Sequence, residues 1–249
     1  MSPNRTYKKN FLDNVIVRVD FQKIDLDFLE SFHKEIKDVF PFQEKNEVLN
    51  SMIVALNQKG PETTTRSVWI FHNARKTKKI QISFDHFLIQ YKRYVNKEEL
   101  LSDIDTLFTK FLGYSKIQTV DRIGLRYTNE INLNKIRAKF SWDKYISKEL
   151  TGSLSFVDNT EAKLARAFST LTLKFDEADM TFNYGLWNND FPSESVRKEF
   201  TLDYDCHSRF PINIIDKPLR GFIEKYNEYI SDLFELSITA AFRRILNEK

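Results

Sequence analysis

The chain carries one structural pattern twice. Each half reads as a strand, a helix, four strands and a second helix, and this duplicated order constrains the fold more than any single residue does. A repeat of this kind predicts an α+β protein: tandem β-α-β4-α units forming a curved antiparallel sheet, with helices packed on one face. The units are expected over residues 1–115 and 116–249, together making one compact duplicated domain.

In the first unit, Val15, Val17, Val19 and Phe21 alternate with Ile16, Arg18 and Asp20, the period of a strand with one buried face. Asp25 is placed to cap a helix that stacks Leu26, Leu29, Phe32, Ile36 and Val39 on one stripe, and Pro41 marks its end. Strands are expected over 49–58 and 66–73, separated by the turn cluster Asn57–Pro61. Residues 79–94 exceed one typical strand and break at Asp85-His86 into a hairpin. Asn96 then caps a helix carrying Leu100, Ile104, Leu107, Phe108 and Phe111, which Gly113 is placed to stop.

The second unit opens on a long strand, 119–133. Ser141 caps a short helix with Trp142, Tyr145 and Ile146, and strands are expected over 152–157, 166–175, 180–187 and 197–207. A single helix after Pro218 carries an apolar stripe from Leu219 to Ile245. The repeated order is like that of the TATA-binding-protein fold, an analogy of topology alone.

Charge narrows the partners. The 38 basic residues nearly cancel the 35 acidic ones, and a net +3 does not by itself imply a polyanion. Cys206 is the single cysteine, which excludes an intrachain disulfide and a multi-cysteine zinc site and favours a reducing, cytoplasmic location. Residues 1–10 are polar with no apolar segment after them, so no secretory signal is expected. No apolar run reaches the roughly 18 residues a membrane span needs. The sequence has no phosphate-binding glycine loop, nucleophile elbow or zincin helix, and no cofactor is implied.

Three clusters remain as candidates. Arg122 and Arg126 share one face of a strand and could grip a phosphate or carboxylate; with Asn129 they form the ligand-binding candidate. The bland alternative pairs the arginines with Glu130 and neighbouring acids. Arg75, Lys76, Lys78 and Lys79 crowd a loop tip and are the candidate contact for a polyanion, against a solvated hairpin end. Asp203, Asp205 and His207 fall at i, i+2 and i+4 and offer a weak metal set, although a strand with one wet face alternates in the same way.

Three stretches carry a resemblance. Tyr7 with Asn10-Phe-Leu-Asp-Asn-Val-Ile16, the strand Arg122-Ile-Gly-Leu-Arg-Tyr-Thr-Asn129, and Leu233-Phe-Glu-Leu-Ser-Ile-Thr239 followed by Arg243 resemble a sporadically distributed prokaryotic family of uncharacterised proteins. The resemblance implies a fold and a prokaryotic origin, with a setting linked to mobile elements or phage defence, and supplies no reaction. The expected function is an interaction or scaffold protein that binds a protein partner or a second copy of itself, with no membrane. The alternative is a nucleic-acid-binding module using the sheet face and the basic loop, and an enzyme comes third.

Overall fold

The computed structural model describes residues 7–52, 62–132, 142–154, 156, 161, 164–188, 191–192 and 199–247. The chain is mixed α+β. It opens with β1 (Leu12–Asp20), α1 (Leu29–Ile36), β2 (Phe42–Met52), β3 (Glu62–His72), β4 (Lys78–Ser83) and β5 (His86–Tyr91). Two short helices follow, α2 (Lys97–Asp103) and α3 (Thr109–Ser115), joined by a π-helical turn over Ile104–Phe108. Then come β6 (Thr119–Val120), β7 (Arg122–Asn132), α4 (Lys148–Thr151), β8 (Ala167–Lys174), β9 (Ala178–Leu186), β10 (Glu199–Ser208), β11 (Ile212–Asn213), α5 (Leu219–Ser237) and α6 (Ala240–Asn247).

Among the described residues nine strands hydrogen-bond in the order β2-β3-β4-β5-β1-β7-β10-β9-β8, a sheet that does not close, and β11 pairs with β6 separately. In each half the last strand of the meander lies beside the strand that opens that half: β5 beside β1, and β10 beside β7. Two compact units divide the chain by interleaving. The N unit holds residues 16–123 and 210–221; the C unit holds 1–15, 124–209 and 222–249.

The N unit is built on phenylalanine. Its α1 buries Leu29, Phe32 and Ile36. Phe111 of α3 is fully buried and meets five rings: Phe87 at 4.9 Å, Phe21 at 5.6 Å, Phe28 at 5.8 Å, Phe108 at 6.0 Å and Phe32 at 6.2 Å. The C unit uses polar ties as well. Tyr204 of β10 is fully buried and donates to Ser237 Oγ at 2.8 Å, while Asn227 donates to the Tyr127 hydroxyl at 2.8 Å. Gly185, at φ +133°, lets β8 come close: a Cβ there would stand 2.1 Å from the Ala167 carbonyl oxygen.

Several boundaries differ from expectation. The first helix starts at Leu29 with no side-chain cap, so Asp25 does not cap it, and Val39 lies beyond the helix and is exposed. β2 begins seven residues early, at Phe42, on a charged stretch that sequence period cannot reveal. The turn cluster Asn57–Pro61 and the Ser141 cap lie outside the described residues. Helix α3 runs past Gly113 and stops at Lys116, whose left-handed backbone returns its N–H to Leu112 O. The strand expected over 119–133 breaks at Asp121, whose N–H goes to Asp20 O. Residues 152–154 form a turn after α4 rather than a strand. The single long C-terminal helix breaks at Ile238-Thr239. There Ile238 bridges to Ile146, Thr239 N donates to Tyr145 O, and Thr239 Oγ1 caps Phe242 N.

Phe111→Ala should remove the ring shared by five others and cost about 3–5 kcal/mol. Chemical denaturation of the purified variant checks this, and a loss below about 1 kcal/mol would remove Phe111 from the centre of the N unit's core.

Candidate functional site

The open face of the C-unit sheet is set by strand register. Thr128, Asp203, Asn183 and Thr170 stand opposite one another on β7, β10, β9 and β8. Because they face the same way, one row of polar side chains crosses four strands. Arg126 forks onto Asp203 through Nε (2.7 Å) and Nη2 (2.8 Å). Thr128 Oγ1 and Asn183 Nδ2 each add a bond at 3.2 Å, and Thr170 Oγ1 donates to Asn183 Oδ1 at 2.7 Å. Asp203 is 4% exposed despite lying on this face. The hydrogen bonds to Asp203, helped by the charges of Asp203 and Asp205, hold Arg126 above its ordinary value against burial.

That geometry separates the candidates drawn from the sequence. Arg126 is engaged with Asp203, and Leu125 and Tyr127 are buried on the other side of β7. Arg122 lies in the N unit, 3.7 Å from Asp20, which also receives Arg18 Nε at 2.6 Å. Asn129 belongs to the core-facing side and lines a cavity. Of Asp203, Asp205 and His207, Asp203 has both carboxylate oxygens engaged by Arg126, Thr128 and Asn183. Among the described residues no group of three or more His, Cys, Asp or Glu side chains is placed to hold a metal. His207 Nδ1 is buried with no hydrogen-bond partner there.

The basic run forms a turn that Asn73 organises. Its Oδ1 accepts from Thr77 N at 2.8 Å and Lys78 N at 3.0 Å, and Lys76 takes a left-handed backbone at φ 52°. Lys78 turns inward, bonding Asp103 at 2.6 Å and Glu99 at 2.5 Å beneath the Tyr91 ring. Burial pushes its ammonium down, but those carboxylates outweigh burial and hold it above its ordinary value. Arg75 and Lys76 are exposed, while Lys79 is half-buried and lowered by burial and by Lys92. The run is therefore divided: Lys78 is a structural charge and the rest are surface cations.

The sequence reading missed a third place. Among the described residues β8 ends the strand order, and Thr170, Leu171 and Thr172 are exposed along it. At its start an aromatic cluster stands in solvent. The Arg166 guanidinium lies 4.3 Å from the Trp187 ring centre and 4.4 Å from that of Phe191, and Phe168 meets Trp187 edge-on at 5.1 Å. Trp187 is 42% and Phe191 53% exposed. These residues lie 25 apart in sequence, so no local motif signals them.

No family model, curated protein or solved structure matches the chain. Among the described residues no helix is long and apolar enough to cross a membrane.

Arg126→Ala should destabilise the C unit by about 1–3 kcal/mol, because it leaves a buried carboxylate with only its neutral donors. Equilibrium denaturation checks this, and a neutral outcome would make the ion pair a surface ornament. A second test uses pH. Burial lowers His72 below its ordinary 6.5, with Lys76, Lys79 and Lys92 adding to the effect and Glu44 opposing it. The folded protein therefore binds this proton less readily than the unfolded chain does. The stabilising contribution is present above 6.5 and is lost as pH falls from there through the lower folded value. His72→Gln should flatten the fall in melting temperature between about pH 7 and 5; an unchanged slope would place that acid sensitivity elsewhere.

Proposed function

We propose that the chain is a protein-interaction module that works by strand addition at β8, and that its partner is a second copy of itself. One observation carries this reading: the sheet's two edges are built differently. On β2 the exposed positions include Glu44 and Lys45, the kind of charge that blunts an edge against pairing. From Ala167 to Leu173 β8 carries no charge and no proline, and its middle is exposed. An edge strand of eight residues whose first seven carry no charge is a template for another strand through main-chain hydrogen bonds.

Self-pairing suits this sequence. Two β8 strands running antiparallel about Leu171 set Leu171 against Leu171 and Thr170 against Thr172, a two-fold contact in which each copy offers the same patch. The same register sets Lys174 opposite Phe168, beside the exposed Trp187 ring, where a cation gains from an aromatic face.

Sedimentation velocity across a range of protein concentrations tests the reading. A monomer–dimer equilibrium is expected, and Leu171→Lys should abolish it by placing two like charges opposite each other. Leu171→Cys should give an interchain disulfide under mild oxidation, with the buried Cys206 silent. A protein monomeric at all concentrations, or a dimer untouched by Leu171→Lys, contradicts the proposal.

A further inference from the structure

The C unit holds a partly open cavity of about 320 Å³ lined by residues 7–12, β7 and the two C-terminal helices. The volume sits at the lower end of small-molecule sites, the size of a single ring system rather than a dinucleotide or a lipid. Its walls are largely apolar and aromatic: Phe11, Phe234, Ile230 and Leu246, with the Tyr7 ring edge-on to Phe234 at 6.4 Å. The wall formed by the chain start is fastened in place. Lys9 N donates to Leu246 O at 3.0 Å, Phe11 O accepts from Glu130 N at 3.0 Å, and the Tyr7 hydroxyl donates to Glu235.

At the base stands Asn129. It is 4% exposed, and its Nδ2 donates to Leu202 O at a long 3.4 Å. No donor among the described residues meets its Oδ1. That oxygen is not among the fully buried polar atoms left without a partner, so it is an acceptor open to the cavity that Asn129 lines and free to take a donor from an occupant. An Asn amide offers an acceptor and a donor side by side, and the complement is a planar edge with an adjacent N–H and acceptor, as in a lactam or nucleobase. The charges around the cavity largely cancel. Lys225 pairs with Glu228 at 3.4 Å, Glu235 is held by Arg243 at 2.7 Å, and Lys9 and Asp232 carry opposite signs. That balance favours a neutral occupant over an anion or a cation.

We infer that this cavity is a binding site for a neutral, planar, N–H-bearing heterocycle of nucleobase size, held by the Asn129 amide between aromatic walls. The site does not depend on the β8 edge. Ligand-observed NMR and calorimetry with uracil and adenine test it on the full chain. At least one base should bind with a dissociation constant of roughly 1 mM or tighter. Asn129→Leu removes the amide and should weaken binding about tenfold or more. Ser231→Phe blocks the space from α5 while keeping Asn129 and should do the same, so one test survives if the first variant misfolds. The methylated analogues 1,3-dimethyluracil and N6,N6,9-trimethyladenine, which carry no N–H, should bind about tenfold more weakly or worse. Leu171→Lys should leave affinity unchanged. Neither base binding at about 10 mM, methylated analogues binding as well as their parents, or Ser231→Phe binding as well as the wild type would each overturn the inference.

Discussion

The C unit depends on the burial of one carboxylate. Asp203 points to the open face of its sheet, yet four hydrogen bonds from Arg126, Thr128 and Asn183 take it out of water. A charge withdrawn from solvent is costly unless its partners are fixed, so these three side chains must stay in place. They stand on β7 and β9, on either side of β10, and Thr170 on β8 extends the chain of bonds by one strand. A slip of one residue in any of these strands would turn its side chain away and strand the charge. The opposite face carries a matching set of polar ties: Tyr204 reaches Ser237, and Tyr127 meets Asn227, both on α5. Strand register and helix position are thus secured from the same β7–β10 pair.

This arrangement decides what the arginines do. A fork on a buried carboxylate has used its geometry, and a ligand would have to displace Asp203 to use Arg126. The open face of the C unit is a structural ladder, and binding is better sought where polar capacity is unspent. Two places answer that description in the C unit: the main chain of β8 at the sheet's edge, and the Asn129 amide at the base of its cavity.

Much of the N unit was legible because its elements are short and strongly periodic. Val17 and Val19 alternate, Leu29, Phe32 and Ile36 share one stripe, and Asn96 caps α2 through Glu99 N, as its position predicts. What escaped depends on contacts remote in sequence. Residues Phe42–Asn46 carry no apolar period, because a strand at the sheet's edge need not bury one face. The apolar stripe of the C-terminal helix runs past its break, because Ile238 and Thr239 leave the helix to meet Ile146 and Tyr145, more than ninety residues away. The site candidates divide in the same way. Period two placed Arg122 and Arg126 on one face of β7, but neither the Asp203 fork nor the cavity behind Asn129 has a local signature.

Hydrogen exchange on the β8 amides at several protein concentrations tests the central claim most directly, since it reports on the edge itself. The account predicts that β10 amides are protected throughout, while amides of 167–174 become at least about tenfold slower as concentration rises and the edge finds its partner. Exchange in β8 that stays fast and independent of concentration would contradict it.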